Sequence, residues 1–89
     1  MTIIGVVIKD SSGKVFEGNK PKRHSDLVKD MAEFYKNLSY DEMPKIVFQG
    51  FITNDSKILS REEAYILARQ NGQTMVERPG GKLYSEDLW

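Results

Sequence analysis

The chain has 89 residues, with 13 Lys or Arg, 13 Asp or Glu, one His and no Cys. This length predicts a single domain over residues 1–89 with one thin core, because so short a chain buries only about 60–65% of its unfolded surface. The balanced charge argues against a broad basic face for a DNA or RNA polymer. The missing cysteines exclude disulfides and thiol nucleophiles, and the single histidine excludes mechanisms that need two imidazoles.

The first predicted element is a β-hairpin. Thr2–Lys9 is a dense β-branched run, typical of a strand buried on both faces. Asp10–Gly13 has turn chemistry, and Lys14–Glu17 resumes a short extended segment. The apolar stretch Ile3–Ile8 is far too short for a membrane span or a signal sequence. We therefore expect a cytoplasmic protein without membrane association.

The hydrophobic period changes after the basic loop Gly18–Arg23, and a helix is predicted next. Its apolar stripe comprises Leu27, Val28, Met31, Phe34, Tyr35 and Leu38. The helix should begin at His24 or Ser25, with Asp26 in the first turn, where the helix dipole favours a negative charge. It should fade over Ser39–Pro44, which is rich in residues that continue a helix poorly.

Lys45–Thr53 predicts the second long strand. Gly50 interrupts it, and a glycine inside a strand marks either a bulge or a close backbone approach. The polar stretch Asn54–Lys57 predicts a turn, and Ile58–Leu59 a short extended segment.

A second helix is predicted from about Arg61 to Asn71. Ser60 and Glu63 have the spacing of a capping box, in which each side chain binds the other residue's backbone amide. Gly72 is suited to the position just after the helix, where a left-handed backbone is common.

The polar segment Gln73–Lys82 predicts a flexible loop, and the apolar segment Leu83–Trp89 should dock on this subunit or a neighbour. The order of elements predicts an α+β fold. A small antiparallel sheet packs with two helices, and the aromatic C-terminal tail is docked against them.

His24, two residues before Asp26, is the candidate for acid–base catalysis. The spacing shows no nucleophile or second titrating group near it, and a histidine at a helix start more often has a structural or ligand-contacting role. Although His24, Asp26 and Asp30 lie close in sequence, zinc sites usually use more nitrogen or sulfur donors than one histidine supplies. We therefore predict no metal, no cofactor and no catalytic residue.

Cationic residues favour a small phosphorylated ligand. The chain has only four arginines: Arg23, Arg61, Arg69 and Arg78. Arg23 precedes the first helix and Arg61 lies in the first turn of the second, where backbone amides already favour anions. Each arginine taken alone is explained by solvation or by pairing with nearby glutamates. As a group, they suit a small phosphorylated ligand better than a long polyanion.

Aromatic side chains supply candidates for stacking on a base, namely Phe48, Phe51, Tyr84 and Trp89. Strand alternation places Phe48 and Phe51 on opposite faces of a regular strand. Core packing is the default expectation for Phe48.

Several short motifs occur together between Arg23 and Trp89. They are Arg23-His24-x-Asp26, Gln49-Gly50-Phe51-x-Thr53, Ser60-Arg61-Glu62-Glu63-Ala64, Ala68-x-x-x-Gly72-Gln73 and the terminal Leu83–Trp89. The combination resembles a family of small phage and prophage proteins, and it is similar to the type 1 Thoeris anti-defence proteins.

That resemblance implies a protein without enzymatic activity in the host bacterial cytoplasm. Such proteins sequester the cyclic ADP-ribose isomer made by host TIR-domain enzymes, and some also bind cyclic oligonucleotides. Relatives are dimeric or hexameric and hold the nucleotide at subunit interfaces. The resemblance implies residues that contact the phosphates, the base and the riboses of the nucleotide. These ligand-binding residues are Arg23, His24, Phe51, Asn54, Ser60, Arg61 and Arg78.

Chain length also favours oligomerisation. An 89-residue monomer has little room for an enclosing pocket, whereas two chains could bury the ligand between them, with the aromatic tail supplying contact surface. Two alternatives stay open at this stage. One is a small nucleotide phosphodiesterase that uses His24, and the other is a protein–protein inhibitor that acts through Leu83–Trp89.

Overall fold

Backbone pairing builds one antiparallel sheet of four strands. The computed structural model describes residues 1–89. Its strands are β1 (Ile3–Asp10), β2 (Val15–Asn19), β3 (Ile46–Thr53) and β4 (Ile58–Ser60), and they lie side by side in the order β2-β1-β3-β4. Its helices are α1 (His24–Phe34) and α2 (Arg61–Gln70), followed by a single 3-10 turn at Ser85–Asp87. The predicted α+β fold is confirmed.

The hydrophobic core lies on one face of the sheet, which we call the helix-covered face. Val6 of β1 lies opposite Phe51 of β3, so both side chains point to the same side. Both helices pack there, and the buried core comprises Ile3, Val6, Ile8, Leu27, Met31, Phe51, Ala64, Ala68 and Leu83. No helix is both long and apolar enough to cross a membrane.

Helix α1 ends at Phe34, whereas the apolar stripe predicted that it would continue to Leu38. Tyr35 leaves the helical conformation at φ −101° and ψ 21°. Its hydroxyl donates a hydrogen bond of 2.5 Å to the buried Asp10 carboxylate, which fixes the chain at that point. Leu38 then closes a tighter turn onto the Tyr35 carbonyl oxygen and remains 43% exposed. The stripe was therefore too long because Phe34 and Leu38 remain exposed, although Tyr35 packs against the core from its position after the helix.

Helix α2 begins and ends as its sequence predicts. The Glu63 amide donates to Ser60 Oγ at 3.1 Å, and the Ser60 amide donates to Glu63 Oε1 at 2.9 Å, which confirms the capping box. Gly72 has a φ of 68°, the left-handed conformation expected after the helix.

The C-terminal tail, Leu83–Trp89, docks on its own chain. Leu83 is fully buried, and its amide donates to the Arg61 carbonyl oxygen at 3.0 Å. The His24 amide donates to Ser85 Oγ at 3.3 Å. The Trp89 indole N–H donates to a main-chain oxygen before α1, that of Lys22, at 2.7 Å. The tail thus contacts the starts of both helices.

The segment before the tail is fixed at its beginning rather than free along its whole length. The Gln73 side chain accepts from the Ile3 amide and donates to the Ile3 carbonyl oxygen, both at 3.1 Å. Thr74 next to it is buried.

Gly50 marks a close backbone approach rather than a bulge. It pairs in register with Val7 and Ser60, while the register shifts of β1 lie elsewhere, between Ile3 and Gly5 and between Lys9 and Asp10. A methyl group on Gly50 would overlap the Leu59 carbonyl oxygen and would lie 2.7 Å from the Phe48 ring.

We therefore expect Gly50→Ala to lower the free energy of unfolding by about 1–3 kcal/mol, the usual cost of overpacking. Gly80→Ala is the matched control, because a methyl group there meets nothing within 4 Å. Urea unfolding with equal m-values measures both changes. Equal midpoints for the two variants would contradict the close approach.

Candidate anion-binding site

The start of α2 forms one wall of a groove beside the first half of β3. The groove has a volume of about 430 Å³ and is lined by Ile46, Val47, Phe48, Gln49, Ser60, Arg61, Glu62 and Lys82. We call it the β3–α2 groove. The first N–H groups of a helix have no intrahelical partner and carry partial positive charge, so this wall favours an anion.

Arg61 is held by contacts on several sides. Its Nη2 donates to Gln49 Oε1 at 2.7 Å, and its guanidinium group lies 4.9 Å from the centre of the Tyr84 ring. Its Nε is buried and has no hydrogen-bond partner. The guanidinium group is thus positioned by the protein, yet neither Nε nor Nη1 makes a hydrogen bond within the chain.

Lys82 joins the β3–α2 groove to a smaller cleft. The second cleft has a volume of about 220 Å³ and is lined by Arg78, Pro79, Gly80, Lys82 and Tyr84. Lys82 is exposed and makes neither a hydrogen bond nor an ion pair through its ammonium group. Its charge is therefore available to a ligand in either cavity.

Arg78 differs from Lys82 because an acid within the chain balances its charge. Its Nε donates to Asp87 Oδ2 at 3.1 Å, and its Nη2 pairs with Asp87 Oδ1. Burial by itself would raise the pKa of Asp87, but the hydrogen bonds from Arg78 and from the Tyr84 amide lower that pKa below its usual value. The guanidinium group of Arg78 also lies 4.8 Å from the Tyr84 ring centre.

Three of the predicted ligand-binding residues come together at these cavities. Ser60 and Arg61 line the β3–α2 groove, and Arg78 lines the adjoining cleft. Lys82 and Gln49 were not among the predicted ligand-binding residues. Lys82 follows a glycine pair and carries no local signal, and Gln49 belongs to the motif Gln49-Gly50-Phe51-x-Thr53 but reads as an ordinary strand residue.

Phe51 does not lie in either cavity. Its side chain is fully buried in the core, and the His24 ring packs edge-on against it with 5.0 Å between ring centres. The expected stacking ring therefore has no exposed face. Strand alternation correctly placed Phe51 and Phe48 on opposite faces of β3. The helices cover the face that carries Phe51, whereas Phe48 is half-buried and lines the groove.

Asn54 lies beyond the opposite end of β3 from the groove. Its Oδ1 accepts from the Thr2 amide at 3.0 Å, and its own amide donates to the Thr2 carbonyl oxygen at 2.9 Å. These bonds connect the ends of β1 and β3, so the structure separates Asn54 from Arg61 and Arg78.

Arg23 is exposed at the start of α1, where its Nε donates to the Trp89 main-chain oxygen at 2.6 Å. Its two terminal nitrogens make no hydrogen bond, but Arg23 lines neither cavity. Arg23 and Arg78 therefore contact different residues of the tail, Trp89 and Asp87, and do not line the same cavity.

His24 is only 6% exposed and holds the sheet to α1. Its Nε2 lies 2.6 Å from the Gly50 carbonyl oxygen, and since a carbonyl oxygen can only accept, Nε2 carries the proton. Nδ1 is buried and has no partner. Burial lowers the pKa of His24, and the positive charge of Arg61 lowers it further, against the effects of the Gly50 bond and of Glu86. No group of three His, Cys, Asp or Glu residues could hold a metal ion.

Comparison with known proteins gives one match. A family model described as Phage T4 y16D protein matches residues 6–89. No curated protein and no solved structure matches the chain.

The buried neutral His24 predicts a specific dependence of stability on pH. The unfolded chain binds a proton near pH 6.5, whereas the folded chain binds it only at lower pH, so stability falls as the pH drops through 6.5. The slope is at most about 1.4 kcal/mol per pH unit for one proton. His24→Gln can still donate to Gly50 but cannot titrate. Between about pH 7.5 and pH 5.5, urea unfolding should show a larger loss for the wild type than for His24→Gln. Parallel curves would contradict a neutral buried imidazole.

Proposed function

Since the chain belongs to the phage T4 y16D protein family, and is therefore a phage protein, we propose that it binds and sequesters a host cyclic nucleotide signal without degrading it. The ligand class is a cyclic ADP-ribose isomer, with cyclic oligonucleotides as a second class. The protein acts in the host bacterial cytoplasm as a homo-oligomer and counters a Thoeris-type defence.

The observation that carries this proposal is the pair of unbalanced cations in one groove. Arg61 and Lys82 both line the β3–α2 groove, and neither is paired with a carboxylate. In a chain with zero net charge, this leaves a local positive site beside a helix start. Glu62 at the rim opposes part of that charge and limits the number of phosphates that the groove favours.

Size and lining support a small ligand rather than a polymer. A volume of about 430 Å³ lies within the usual range of small-molecule sites. Gln49 offers an amide for a ribose hydroxyl, and Phe48 offers an apolar surface for a base. The adjoining cleft adds Tyr84 and the second guanidinium group, that of Arg78.

The environment of His24 favours sequestration over the alternative of a phosphodiesterase. A general acid or base must reach the substrate, whereas the His24 ring is buried and its protonated nitrogen is bonded to Gly50. The alternative of an inhibitor acting through its tail is also less favoured, because Leu83 and Ser85 are already buried against their own chain.

Incubation with cyclic ADP-ribose isomers and cyclic oligonucleotides, followed by filtration, heat release and mass spectrometry, tests the proposal. Ligand that is retained and recovered intact supports sequestration. A changed mass would make the protein an enzyme, and failure to retain any of these nucleotides would overturn nucleotide binding.

Variants then locate the site. We expect Lys82→Ala to weaken binding of the retained nucleotide about 10-fold to 100-fold, because a hydrogen bond to a charged group contributes roughly 1.5–3 kcal/mol. Lys82 makes no contact within the chain through its ammonium group, so folding should be unaffected. Lys36→Ala is the matched control, because it also truncates a lysine. Lys36 lies just after α1, where it pairs only with Glu33, so this variant should leave the affinity unchanged. Isothermal titration calorimetry measures both. Equal losses in the two variants would place binding outside the β3–α2 groove.

A further inference from the structure

One face of the sheet has no helix packed on it, and we call it the open face. Val7 lies opposite Glu17, Lys9 lies opposite Val15 and Phe48, and Ile52 lies opposite Ile58, so these side chains share that face. Both helices and Leu83 pack on the other side. The open face therefore comprises Val7, Lys9, Val15, Glu17, Phe48, Ile52 and Ile58.

The middle of the open face is apolar and flat. The Phe48 ring lies against Gly50, and the Ile52 side chain lies against Gly5. A methyl group added to Gly5 would be only 3.0 Å from Ile52 Cγ2. These side chains lie over the two glycines, and Val7 is only 1% exposed although no helix covers it. Ile58 extends the apolar surface at the sheet edge, where it is 47% exposed. A surface of this kind suits face-to-face packing of two sheets.

Two opposite charges on the open face make it complementary to itself. Lys9 and Glu17 are both exposed, and neither forms an ion pair within the chain. When two copies meet about a twofold axis, every contact occurs twice with the roles exchanged. Lys9 of one copy can then face the partner's Glu17, and Glu17 can face the partner's Lys9.

We infer that the open face is covered by the open face of a second copy of this chain. The inference supplies the interface for the proposed homo-oligomer, and it stands whether or not a nucleotide binds. Because Leu83 and Ser85 are buried against their own chain, only part of the tail remains exposed to build an interface. The open face takes that role instead of Leu83–Trp89.

The size of the open face sets the strength of the dimer. Four strands spaced about 4.8 Å apart, with up to eight residues at about 3.3 Å each, give roughly 400–500 Å² per copy. The total of roughly 800–1,000 Å² is smaller than that of a stable specific interface and falls in the range of weak, transient complexes. We therefore expect a reversible dimer whose population changes with concentration across the micromolar range.

Sedimentation velocity of the full chain without ligand tests the inference. We expect the wild type to shift from monomer to dimer with increasing concentration. Lys9→Glu and Glu17→Lys should each weaken the dimer at least about 10-fold, because each places like charges opposite one another. Lys29→Glu, an exposed charge reversal on α1, is the matched control and should dimerise like the wild type. Circular dichroism checks that each variant folds.

An equimolar mixture of Lys9→Glu with Glu17→Lys gives the decisive result. In the heterodimer both cross-copy pairs again join opposite charges, so the mixture should dimerise although each variant alone does not. A wild type that stays monomeric, single variants that dimerise like the wild type, or a mixture that fails to recover would each overturn the inference. Retention of nucleotide is measured separately, so failure of the dimer and failure of the proposed function are distinguishable.

Discussion

Docking of the C-terminal tail between the two helix starts is the contact on which the rest of the structure depends. Leu83 completes a core that has helices on only one side, and the bond from its amide to the Arg61 carbonyl oxygen fixes the tail to α2. Ser85 receives the amide of His24, which fixes the tail to α1. In a chain of this size no second layer of side chains can replace these contacts, so the tail acts as a part of the core.

The same docking determines which charges remain available. Asp87 belongs to the tail, and it balances Arg78 while it also accepts the Tyr84 amide. No carboxylate forms an ion pair with Arg61 or Lys82, which line the β3–α2 groove beside the cleft of Arg78. A chain with equal numbers of acids and bases thus acquires a positive groove because folding pairs one cation and leaves its neighbours unpaired.

The elements could be predicted from sequence because their signals are local. Ser60 and Glu63 are three residues apart, and the hairpin needs only a turn between a β-branched run and a short extended segment. The site could be predicted only in part. Arg61 followed from its place at a helix start, whereas the fates of Phe51 and His24 depended on which face of the sheet the helices cover. That choice is made by contacts between residues far apart in the chain, as in the bond from His24 to Gly50. The early end of α1 has the same origin, since Tyr35 is held by Asp10 across 25 positions.

The two-layer fold keeps the β3–α2 groove and the open face apart except at one residue. The groove lies beside the start of α2 and depends on the tail, whereas the open face depends on side chains that lie over Gly5 and Gly50. Phe48 belongs to both, because it lines the groove and also covers Gly50. A ligand that moves the Phe48 ring would therefore alter the centre of the open face, and a second copy packed on that face would restrict the ring from the other side. Any energetic coupling between ligand binding and self-association must be reciprocal, and Phe48 is the residue through which these contacts would transmit it.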